Sequence, residues 1–146
     1  MTRTKDCDVC EGEVYHKIDD LKGRVNVINK SNADIFISIH LNMFVMKDTK
    51  GFQIIYNEQN TDSLTLAETI YKTYNYYMSS SRRGIVKDEN LYMLSRLTIP
   101  GCLLECGFLS NEEDRNLLID NIFQKKLANS IFLGINNYFL TKVEYL

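Results

Sequence analysis

The sequence predicts an α/β fold: a single three-layer domain over residues 1–146, its mostly parallel sheet flanked by helices. Three observations predict it. Residues 35–39 (Ile-Phe-Ile-Ser-Ile) and 102–105 (Cys-Leu-Leu-Glu) are nearly continuous apolar runs, the pattern of strands covered on both faces rather than one. Segments with apolar residues at helical spacing lie between and after these runs, as in alternating α/β chains. Both runs also deliver chemistry-bearing side chains: His40 and Asn42 follow the first, and Glu105 closes the second. Open α/β sheets bind ligands outside the carboxyl ends of their strands.

Taken in order, residues 1–17 are polar and aperiodic, which predicts a loop. Asp19 or Asp20 caps a helix to about Asn29, with Leu21, Val25 and Ile28 on one face. Ser31-Asn32 ends it, and residues 35–39 form a buried strand. Residues 42–51 read as a polar loop, and 51–56 (Gly-Phe-Gln-Ile-Ile-Tyr) as a second strand. Asp62 caps a helix to about Met78, with Leu64, Ala67, Tyr71, Tyr74 and Met78 near one stripe. Residues 79–87 read as a turn-rich connection, 91–94 as a short strand, and Ile99-Pro100-Gly101 as a turn before the strand at 102–105. Ser110, with Glu113 three residues on, has the spacing of a capping box opening a helix to about Leu118. Asp120 caps the last helix, with Leu127, Ile131, Ile135 and Tyr138 at helical spacing.

At 146 residues the chain is long enough for one domain with its own core. The net charge of −2, with scattered lysines and arginines, gives no field that would favour nucleic acid or an anionic membrane. No apolar run approaches the roughly 20 residues of a membrane span, and the polar N-terminus is not that of an export signal. Of the four cysteines, Cys7 and Cys10 have the spacing of half a zinc site, with His16 near enough to be a third ligand. Two thiols in a loop are the plainer expectation there. Cys102 and Cys106 flank Glu105 on the opposite face of their strand, as small core residues.

A carboxylate inside an apolar strand is costly to bury unless it is paired, bound or used. With His40 at the end of another strand, Glu105 suggests metal-assisted hydrolysis. Zinc hydrolases use about three protein ligands and an open position for water. A nearby carboxylate takes the water's proton and passes it to the leaving amine. His40 suits the first role and Glu105 the second.

Longer motifs surround both residues. Arg24, Ile28-Asn29 and Asn32-Ala33-Asp34-Ile35-Phe36-Ile37-Ser38-Ile39-His40-Leu41-Asn42 resemble the central motif of zinc-dependent N-acetylmuramoyl-L-alanine amidases. Pro100-Gly101-Cys102-Leu103-Leu104-Glu105-Cys106-Gly107-Phe108-Leu109-Ser110-Asn111 resembles their C-terminal motif. Residues 51–56 and Arg83-Gly84-Ile85-Val86-Lys87 fall in register between them, and the wording is most similar to germination-type amidases of the spore cortex.

The resemblance implies an extracytoplasmic hydrolase of the cell wall or cortex. Its substrate would be peptidoglycan, cut at the amide between N-acetylmuramic acid and L-alanine. It also implies Zn2+ as cofactor, His40 as a metal ligand, Glu105 as the catalytic carboxylate, Asn42 and Arg83 lining the substrate site, and room for an activating protein partner. Family members begin with a strand, a helix and a second strand that carry two further zinc ligands. Here Met1-Thr2-Arg3 falls at a Thr-Arg pair that follows them. The expectation is therefore a domain lacking the family's first two strands and first helix, and impaired by it. The alternative is a non-catalytic remnant that binds peptidoglycan or a partner.

Overall fold

A computed structural model describes residues 17–79 and 82–143. The residues Cys7, Cys10 and His16, weighed above as a local zinc module, lie outside the described residues.

The elements are α1 (Lys17–Lys30), β1 (Phe36–Asn42), β2 (Phe52–Tyr56), α2 (Thr61–Tyr77), β3 (Arg82–Lys87), a 3-10 turn (Leu94–Arg96), β4 (Gly101–Phe108), α3 (Glu112–Leu118) and α4 (Asn121–Val143). The sheet order is β1-β4-β2-β3. β1 runs parallel to β4 and β2 parallel to β3, while β2 and β4 are antiparallel. The sheet is thus mostly parallel and the α/β class is as the sequence predicts.

One face of the sheet carries the core. Phe52, Ile54, Cys102, Leu104 and Cys106 meet Leu66, Ala67, Ile70 and Tyr74 of α2, with Leu127, Ile131 and Tyr138 of α4 behind. Phe52 stacks on Tyr74 with ring centroids 3.9 Å apart. The helices α2 and α4 approach closely at Gly134, where a Cβ would stand 2.7 Å from the Cα of Ile70. On the other face, α1 is pinned to the segment after the 3-10 turn. Asn29 Nδ2 donates to the Arg96 carbonyl at 2.8 Å, and Asn29 Oδ1 accepts from Thr98 N at 3.0 Å.

Several local expectations change. Residues 91–94 form no strand; a 3-10 turn begins at Leu94, and the fourth strand is instead β3, inside the stretch read as a connection. Its two arginines and its glycine hid it from a propensity reading. Among the described residues β1 is not covered on both faces: it is an edge strand whose distal half, Ile39 to Leu41, is exposed. The cap of α2 is Asn60, whose side chain accepts from Asp62 N, so Asp62 lies inside the first turn. The cap of α3 is Asn111, which accepts from Asp114 N, one residue later than the Ser110 box. Ser110 Oγ instead accepts from Phe44 N at 3.1 Å. The loop after β1 is not polar at its tip, since Met43, Phe44, Val45 and Met46 are exposed there.

Candidate active site

The site is built by register. In the parallel pair β1/β4, His40 stands beside Glu105. In the antiparallel pair β2/β4, Gln53 stands opposite Glu105. Gly84 of β3 stands beside Gln53. Directly paired residues of neighbouring strands project to the same face. His40, Glu105 and Gln53 therefore form one row across three strands, and Gly84 extends it to the fourth. The row lies opposite the core face, because its strand neighbours Leu104 and Ile54 are fully buried in the core. Sequence positions 40 and 105, far apart in the chain, are brought side by side by this pairing.

Glu105 is 9% exposed, and its Oε2 is buried with no hydrogen-bond partner among the described residues. Burial raises its carboxyl above the usual carboxylate value, and the adjacent His40 pulls it partly back. A buried carboxylate with no partner among the described residues marks a candidate working group. His40 is exposed, with Nε2 2.8 Å from Ser38 Oγ. Cys102 and Cys106 lie on the core face, and burial pushes both thiols up to about 12, which suits inert packing rather than chemistry.

Arg83 arrives from the far side of the sheet. The antiparallel course of β2 brings the start of β3 to the carboxyl end of β4, and the Arg83 guanidinium carbon lies 5.5 Å from the Phe108 ring centroid. The Asn42 side-chain oxygen accepts from Met43 N at 2.7 Å, and its carbonyl accepts from Leu109 N at 2.7 Å. Asn42 thus shapes the chain leaving β1 and ties it to the end of β4.

Two residues escape a sequence reading. Asp114 is 5% exposed, and its Oδ2 accepts from both Gly51 N and Phe108 N at 2.8 Å. It fastens the start of β2 to the end of β4, directly below the row. The signal for it is an acidic residue at the third position of a helix whose first turn is already acidic. Gln53 is the other. Its signal is one amide in an otherwise apolar strand.

Zinc can be weighed on the donor set. Among the described residues no group of three or more His, Cys, Asp or Glu side chains converges. The row offers one imidazole and one carboxylate, which falls short of the three protein ligands of a catalytic zinc. The described residues alone do not fit the metal, so no chemical step is routed through it. A cleft of about 900 Å³ opens beside the row, between α1, β1 and the stretch 91–94, and His40 and Leu103 line it.

A family model described as N-acetylmuramoyl-L-alanine amidase matches residues 1–137. The germination-specific N-acetylmuramoyl-L-alanine amidase of Bacillus subtilis is 34% identical, over 97% of this chain and 62% of the relative. A cell wall amidase of Bacillus anthracis is 35% identical, over 83% of this chain and 24% of the relative. The chain thus spans less than two thirds of the length of these relatives. Among solved structures, the CwlD amidase of Clostridioides difficile in complex with the GerS lipoprotein matches with a TM-score of 0.85 at 34% identity. That match covers 96% of this chain and 74% of the other.

Proposed function

Since the chain belongs to the N-acetylmuramoyl-L-alanine amidase family, we propose that it hydrolyses the amide joining the lactyl group of N-acetylmuramic acid to L-alanine in peptidoglycan. The observation that supports this is the buried, unpartnered Oε2 of Glu105 beside the exposed imidazole of His40. Glu105 takes a proton from water as the water oxygen bonds to the lactyl carbonyl carbon. The C–N bond then breaks, and Glu105 returns the proton to the departing amine of L-alanine. The products are a free lactyl carboxyl and a free α-amino group. Burial raises the proton affinity of Glu105 above that of an ordinary carboxylate, which favours a group that must both take and give a proton.

His40 holds the position next to the reacting bond. Zinc is the cofactor that the family resemblance implies, with His40 as one ligand; among the described residues no further ligands converge on it, and the chain by itself is expected to be impaired. Arg83, an exposed cation at the same end of the sheet, lines the approach, and Asn42 shapes its rim. The proposed setting is the cell wall or spore cortex, outside the cytoplasm. An activating protein partner is part of the same proposal, because the CwlD relative is found in complex with a lipoprotein.

The test is digestion of purified peptidoglycan with the protein and with Glu105→Gln, reading new amino termini by mass spectrometry. New L-alanine amino termini from the wild type alone support the proposal. Equal release by Glu105→Gln, or none by either, overturns it.

A further inference from the structure

Gln53 is a polar side chain placed where the strand is otherwise apolar. Its neighbours Phe52 and Ile54 are 1% and 0% exposed, while Gln53 is half-buried on the opposite face. It makes no side-chain hydrogen bond among the described residues. Directly across the strand pair stands Glu105. A half-buried carboxamide and a buried carboxylate oxygen thus sit side by side on one face, the carboxylate oxygen unpartnered among the described residues.

Beyond Gln53 the row is open. Its register partner Gly84 has φ +96°, carries no side chain, and leaves the place of a Cβ empty within 4 Å. Arg83, next in the chain, holds an exposed guanidinium 5.5 Å from the Phe108 ring centroid. A side-chain carboxamide offers one acceptor and two donors, which match the N–H and C=O of a peptide unit. A guanidinium matches a carboxylate. Glu105 must face the water and the departing nitrogen, so the scissile bond lies over the middle of the row. On the β2 side the row continues to the open place at Gly84, with Arg83 next in the chain.

We propose that Gln53 is a substrate-binding residue whose carboxamide pairs with a backbone amide of the stem peptide on the amine side of the scissile bond. The peptide crosses the sheet over Gly84 and directs a carboxylate to Arg83. This rests on the amidase reading and deepens it: Gln53 selects an acidic peptide, while Glu105 acts on the bond.

The experiment uses a soluble N-acetylmuramyl peptide carrying a side-chain carboxylate. Its dissociation constant is measured by calorimetry on the full chain, in the Glu105→Gln background so that nothing turns over. Gln53→Leu and Gln53→Glu are then added in turn. KM and kcat are measured for the same two substitutions with Glu105 intact. Loss of one such pairing weakens binding about tenfold. Both variants are expected to raise the dissociation constant and KM by about that factor, with kcat changed less than about threefold. Gln53→Leu keeps the size and apolar fit of the strand, and Gln53→Glu keeps an acceptor while removing the donors, so the two separate a lost amide from a disturbed sheet. Unchanged binding in both variants, while the wild type binds and cleaves, overturns the role of Gln53 and leaves the amidase reading standing. A wild type that neither binds nor cleaves the muramyl peptide overturns both.

Discussion

At position 105 the fold holds a carboxyl group that burial makes reluctant to ionise. The unfolded chain ionises it at the ordinary carboxylate value and the folded chain only at a higher one. Between those two values the folded state binds more protons than the unfolded state, so stability falls as pH rises through that window. Glu105→Gln removes this loss. The variant is expected to be more stable than the wild type above the window, with a flatter pH profile, as read from urea midpoints at several pH values. The same change is expected to lower amide cleavage at least about a hundredfold, the loss of a general acid–base group. The acid limb of the wild-type activity profile should lie above the usual carboxylate range. Asp114, by contrast, is held by hydrogen bonds. Its Oδ2 accepts from two backbone N–H groups, and Asp114→Ala leaves both buried donors unmet. The expected cost is about 3 kcal/mol, measured by urea unfolding.

At the scale of elements, the crossing of α2 and α4 depends on Gly134. An alanine there gains up to about 1 kcal/mol of helix propensity, yet its Cβ would meet the Ile70 backbone at 2.7 Å. Overpacking against an unyielding backbone costs about 1–3 kcal/mol, so Gly134→Ala is expected to be net destabilising, visible as a lowered Tm. The helices were legible in the sequence because their apolar spacing is local, but their caps shifted by one or two residues. Asn60 and Asn111 outcompete Asp62 and Ser110 because each accepts from the N–H of a first-turn residue. Strand β3 was not legible as a strand. Its sequence, Arg-Arg-Gly-Ile-Val-Lys, lacks the expected pattern, and pairing with β2 supplies its structure. The exposed outer half of β1 was missed for a related reason: an apolar run records what a strand could bury, while its place in the sheet decides what it does bury.

At the scale of the whole molecule, the order β1-β4-β2-β3 is what assembles the candidate site. His40 and Glu105 were each readable as a polar group interrupting an apolar strand. Their adjacency was not, because it depends on β4 inserting between β1 and β2. Gln53 joined them only once the antiparallel register of β2 was fixed. The metal belongs to this scale too. Because the described residues supply one imidazole and one carboxylate, the protein by itself is expected to retain less than one zinc per chain and to cleave weakly, with His40→Ala lowering both. Metal content per chain and product release measure this together.

The central claim is that Glu105 serves amide hydrolysis at the muramyl–L-alanine bond. The measurement that tests it most directly is mass spectrometry of the products from a defined N-acetylmuramyl peptide in 18O water, with wild type and Glu105→Gln in parallel. The account predicts one 18O in the lactyl carboxyl and an unlabelled free L-alanine amino terminus from the wild type, with neither product from Glu105→Gln. Cleavage at another bond, or equal turnover by Glu105→Gln, would contradict it.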